Sequence, residues 1–112
     1  MRAVKIDTSG QATLYLGPIT LDVLQSAVDG NIEAVTLKSD EGEFATMYLN
    51  EEGKLLGLLG NPVATFLATR YGLLDDVIVG NVIIVGPPNN EGEDTSLSDN
   101  WARLSGLSPS IL

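Results

Sequence analysis

The chain has 112 residues, 44% apolar and 19% charged, with 15 acidic against 6 basic residues and a formal charge of −9. A chain of this size buries about two-thirds of its extended surface on folding, enough for a single core without staples. With no cysteine and no histidine, disulfides, thiolate metal sites and the usual nucleophilic triads are excluded, and the acidic excess repels phosphate backbones, which argues against direct nucleic-acid binding.

The opening Met1-Arg2-Ala3-Val4-Lys5 lacks the apolar stretch that follows the basic start of a secretory signal. Val4 and Ile6 then alternate with Ala3 and Lys5, and Ala12, Leu14 and Leu16 alternate with Gln11, Thr13 and Tyr15. This period of two, on either side of Asp7-Thr8-Ser9-Gly10, predicts a hairpin over 2–16. Pro18-Ile19-Thr20 leads into Leu21, Leu24, Ala27 and Val28 at helical spacing, with Asp22 in the first turn and Gly30 placed to end it, so a short helix capped by Thr20 is expected.

Ser39-Asp40-Glu41-Gly42 and Asn50-Glu51-Glu52-Gly53 repeat the chemistry of the first turn: a residue that bonds the backbone ahead, then a glycine. Around them, 32–38, 44–49 and 54–59 read as strands of a meander, the last weakened by Gly57. Asn61 as cap, Pro62 at the first position and the stripe Ala64, Leu67, Ala68, Tyr71 before Gly72 predict a second helix with its apolar face on the sheet.

The segment 77–85 is apolar on both faces, which suits a central strand or two strands pivoting at Gly80, and it is too short to cross a bilayer. Residues 89–95 are polar and acidic and read as an exposed, mobile loop. Ser98 as cap with Trp101 and Leu104 three apart suits a short last helix anchored by Trp101. The fold expected is α+β: a mainly antiparallel twisted sheet of about five to six strands with two to three short helices packed on it. It forms a single domain over 1–108, with 109–112 as a C-terminal tail.

The groups left for chemistry are carboxylates. Asp75 and Asp76, between a helix and a strand, read as exposed turn acids before they read as a catalytic or metal pair. The run Asn90-Glu91-Gly92-Glu93-Asp94 has oxygen ligands but neither the spacing nor the closing glutamate of an EF-hand loop. No phosphate-loop string occurs among the glycines. The start of the second helix at Asn61, with Arg70 two turns on, offers at most an anion site, and Asn61 reads first as a cap. A speculative interaction or anion site therefore comprises Asn61, Arg70, Asp75, Asp76 and Trp101, with no catalytic residue, metal or cofactor expected.

The string Asn50-Glu51-Glu52-Gly53-Lys54-Leu55, then Gly60-Asn61-Pro62 with Ala64-Thr65, then Asp76-Val77-Ile78-Val79-Gly80 with Val82, resembles a small domain-of-unknown-function family. That family is encoded largely by bacteriophages and mobile elements, with some actinobacterial and firmicute genomes. The resemblance spans the chain from its first strand to Leu97-Ser98-Asp99 and implies an accessory protein of a phage or element, acting in the host cytoplasm.

The function expected is a non-enzymatic interaction module that modulates a host or defence component by protein binding, away from membranes. One alternative is an acidic DNA mimic using the clusters at 40–43, 51–52, 75–76 and 91–99. Another is a protein that sequesters a small nucleotide or other anion. An open sheet edge would also let two copies pair.

Overall fold

The computed structural model describes residues 1–108 and Ser110. Strands β1 (Arg2–Ile6), β2 (Ala12–Leu16), β3 (Ile32–Lys38), β4 (Phe44–Asn50) and β5 (Val82–Val85) form a five-stranded sheet in the order β2-β1-β5-β4-β3. Every neighbouring pair is antiparallel. Three helices complete the fold: α1 (Leu21–Val28), α2 (Pro62–Gly72) and α3 (Asp99–Leu104). The chain is thus the α+β domain its periodicities predict. The tail expected at 109–112 falls, apart from Ser110, outside the described residues.

Successive residues of a strand point to opposite faces, and here both faces are covered. Val4 and Ile6 of β1, Val82 and Ile84 of β5, and Ala45 and Met47 of β4 pack with Ala64, Leu67 and Ala68 of α2 and Trp101 of α3. On the other face, Ala3, Ile83 and Val85 pack with Leu24 and Val28 of α1. The central strand β5 is therefore buried at all four positions, the reason its sequence is apolar without alternation.

The caps follow the sequence. Thr20 accepts from the Val23 N–H, Asn61 from Ala64 and Ser98 from Trp101, and Pro62 opens α2. Helix α1 ends on Asp29 in the left-handed region, with the Gly30 N–H returning to the Gln25 carbonyl. Trp101 is fully buried, meets Tyr71 edge to face at 5.3 Å and donates from Nε1 to the Glu43 carbonyl at 3.0 Å. It anchors α3, as its place in the sequence implies.

Two expectations fail. Residues 54–59 form no strand, and the turn at Asn50 joins no hairpin. Asn50 instead acts as a helix cap: its Oδ1 accepts from the Glu52 N–H at 2.8 Å, and the Leu56 N–H bonds the Glu52 carbonyl. The single helical turn then closes through Leu58 N–H to Gly53 and Gly57 N–H to Lys54, with Gly57 at φ +68°, the paired 6→1 and 5→2 bonds of a Schellman ending. A local cap at each end outweighs the strand tendency of 54–59, which Lys54 and Gly57 weaken.

The second correction concerns 77–85. Only its second half is a strand, since Val79 makes one isolated bridge to Gly60 and the chain bends at Gly80 before entering β5. The pivot is as expected, but the first arm runs along the start of α2 instead of joining the sheet. There the Ile78 carbonyl accepts from the Asn61 N–H, and Thr65 Oγ1 accepts from the Ile78 N–H.

Candidate interaction surface

The two corrected segments build one surface. The helical turn after β4 carries Leu55 and Leu56 outward, leaving Leu55 87% exposed. Helix α2 turns its Ala64, Leu67, Ala68 stripe inward, which leaves Phe66 on its outer side. Because 77–79 lies against α2 instead of in the sheet, Val77 is exposed beside Phe66, and the two line a trough of about 440 Å³ with Gly60, Pro62 and Thr65.

Val77 also lines a neighbouring hollow of about 200 Å³, floored by Leu49, Leu74, Ile78 and Val79 and rimmed by Leu55 and the charged Glu33, Glu51, Glu52, Lys54 and Asp76. Val77 is the shared wall of trough and hollow. Leu59, one residue before Gly60, and Leu73, at the end of α2, are further exposed apolar side chains, and neither lines the trough or the hollow. An apolar surface of this kind, ringed by charged groups, is the usual form of a protein contact site.

Leu73 adds a second signal. It ends α2 with φ +52°, where glycine is the comfortable residue, and it is 91% exposed. The adjacent Gly72 is used for something else: a Cβ there would meet Val35 and Leu37 of β3 at 3.2 Å, so the glycine admits the close approach of helix to strand. The strained position thus falls to a leucine that packs on nothing it could stabilise.

The residues singled out in the sequence do not assemble into one site. Asn61 is fully buried, accepting from Ala64 and donating to the Ile6 and Gly80 carbonyls at 3.2 and 2.9 Å, a junction between α2 and the sheet. Arg70 pairs with Asp40 at 2.8 Å and lies over the Tyr71 ring. Asp75 is exposed. Asp76 bonds Lys54 and the Val77 N–H, and these contacts, the lysine first, hold its carboxyl below the ordinary range. Trp101 belongs to the core. Of the five, Asn61 lines the trough and Asp76 the neighbouring hollow, whereas Arg70, Asp75 and Trp101 line neither.

The acidic loop 89–95 is exposed as expected but internally braced. Asn89 Oδ1 accepts from the N–H groups of Glu91 and Glu93, each at 2.9 Å, and Asp94 accepts from the Tyr48 hydroxyl at 2.7 Å. Partial burial and that carboxylate together push the Tyr48 phenol well above its ordinary range. Among the described residues no group of three or more acids is placed to hold a metal ion, and no helix is long and apolar enough to cross a membrane.

The surface residues that matter here were missed in the sequence because Leu55, Leu56 and Leu59 read as strand positions and Val77 as core. One signal was available: Phe66 falls outside the Ala64, Leu67, Ala68, Tyr71 stripe, so its place on α2 already put it in solvent.

Fold and surface define a small α+β domain with helices on both faces of an antiparallel sheet and exposed apolar side chains at one end of α2. The chain belongs to the family described as Domain of unknown function (DUF3846), which matches it over residues 1–105. Neither a curated protein nor a solved structure matches the chain.

Proposed function

We propose that the protein is a non-enzymatic interaction module that binds another protein through the surface around Leu55, Phe66 and Val77. The observation that carries this reading is the gathering of large exposed apolar side chains around two connected depressions. Each such side chain left in water forgoes about 1.5–3 kcal/mol of burial, and a bound partner recovers it. In the setting the family resemblance implies, the protein is a phage or mobile-element accessory factor in the host cytoplasm, and the partner is a host or defence component.

The two alternatives have less support. An anion site at the start of α2 needs free positive charge, and Arg70, the base the sequence offers there, is engaged by Asp40. A DNA mimic needs a continuous negative track, whereas Asp40, Asp76 and Asp99 are partly neutralised by Arg70, Lys54 and Arg2, and Glu43 is tied to Ser98 and Asn100 of the last helix.

The test is affinity capture from host lysate with the native chain and with the double variant Leu55→Ser, Phe66→Ser. Both changes are at exposed positions, so the fold should survive, as circular dichroism would verify. A discrete protein held by the native chain and lost by the variant is the expected result. Retention of the same protein by the variant would place binding elsewhere.

A further inference from the structure

The hollow beside Val77 has an electrical character as well as an apolar floor. Four of its rim residues are acids, Glu33, Glu51, Glu52 and Asp76, and one is a base, Lys54. Lys54 and Asp76 neutralise each other. No ion pair engages Glu33, Glu51, Glu52 or the neighbouring Asp75 among the described residues. An apolar pit with uncompensated negative charge around it is complementary to an apolar side chain with positive charge around it.

We propose that this hollow docks a cationic segment of the partner polypeptide, with one bulky apolar side chain seated against Leu55 and Val77 and lysines or arginines facing Glu33, Glu51, Glu52 and Asp75. The inference rests on the protein-binding reading above and names the chemistry of the partner. Charge also decides against the other occupants. A second copy of this chain would bring the same acidic rim against itself, and nucleic acids and anionic membranes carry the repelling sign. Positive charge on the partner steers its approach, and the apolar contact holds it.

The apolar rim is built locally and rigidly. Leu55 sits in a helical turn closed at both ends, and Val77 is fixed between Asp76, whose carboxylate takes the Val77 N–H, and Ile78, whose backbone is bonded to Asn61 and Thr65. A site held in this way needs little ordering when a partner arrives, which favours a short linear segment as the ligand.

The experiment uses the full chain, isotopically labelled, titrated by NMR with three synthetic helical peptides of one length and one leucine spacing, bearing lysine, glutamine or glutamate at the flanking positions. The lysine peptide is expected to shift amide signals of 51–56 and 74–79, and its affinity should fall as salt is raised past the screening range. Changing Glu51→Gln and Glu52→Gln together should weaken it by about threefold or more, as loss of two exposed charge contacts predicts. Equal binding of the glutamine peptide, preference for the glutamate peptide, or shifts confined to another face would each overturn the proposal. So would self-association in sedimentation that Leu55→Ser abolishes. If no peptide binds while the lysate partner is still lost by the Leu55, Phe66 variant, the cationic inference fails and the protein-binding reading stands. If the lysine peptide binds at 51–56 and 74–79 but the lysate partner is indifferent to that variant, the reverse holds.

Discussion

At the residue scale, the end of α2 departs from the rest of the chain, where positive φ falls mostly to glycines. Gly72 lets α2 meet β3, and the next residue, Leu73, takes the positive φ. A left-handed leucine costs about 1–2 kcal/mol in conformation, offset in part because glycine would add freedom to the unfolded chain. Leu73→Gly is therefore expected to raise stability by up to about 1 kcal/mol in chemical denaturation. If Leu73 is retained for contact, the same variant should bind the lysate partner more weakly, and unchanged capture together with the stability gain would leave the leucine without a role in binding. Asn61 shows the opposite economy, since its one buried amide caps a helix and satisfies two carbonyls from other segments. Its helix-cap role was plain from Asn61-Pro62. Its bonds to Ile6 and Gly80 were not, because they join positions far apart in the chain.

At the scale of elements, hydrogen-bond parity identifies the open side of β3, one of the sheet's two edge strands. The Ser39 N–H reaches the Glu43 carbonyl and the Glu51 N–H reaches the Asn31 carbonyl, so the odd residues of β3 face β4 and the even ones, Ile32, Ala34, Thr36 and Lys38, face outward. Glu33 and Ala34 are both exposed, yet they should answer differently to proline. Ala34→Pro removes no ladder bond, whereas Glu33→Pro removes the donor facing Leu49 and is expected to cost about 1–3 kcal/mol more in urea denaturation. Equal losses would mean that the register differs from the one described. The hairpin of β1 and β2 and both long helices were legible because cap, turn and period agree. The segment 54–59 was not, since one helical turn between Asn50 and Gly57 is too short to show a period of its own.

At the scale of the molecule, acidic excess makes stability a matter of pH. Asp76 and Asp7 both have lowered carboxyl pKa values, Asp76 chiefly through Lys54 and Asp7 chiefly through the Ser9 hydroxyl. A folded value below the unfolded one gives stabilisation that is fully present above the ordinary aspartate value of 3.8 and is lost as pH falls through the folded value. Asp76 is exposed and Asp7 is only half-buried, so the effect is small and screened by salt. Thermal melts of Asp76→Asn should thus differ from the native chain near neutral pH and converge with it once pH falls below the lowered folded value of Asp76. A difference that persists in acid would point to a packing role instead.

What the sequence determined by itself is everything governed by neighbours along the chain: the caps at Thr20, Asn61 and Ser98, the turns at Asp7 and Ser39, the alternation of β1 and β2, and the burial of Trp101. The class of fold followed from these. Tertiary structure alone decided which side of each element faced what, because the chain's own pattern cannot say where a second segment will lie. Val77 is exposed since 77–79 packs on α2, and Leu55 lines the same hollow since Asn50 starts a helical turn instead of a hairpin. The apolar surface exists only where those two local choices come together in space, and no window of sequence contains both.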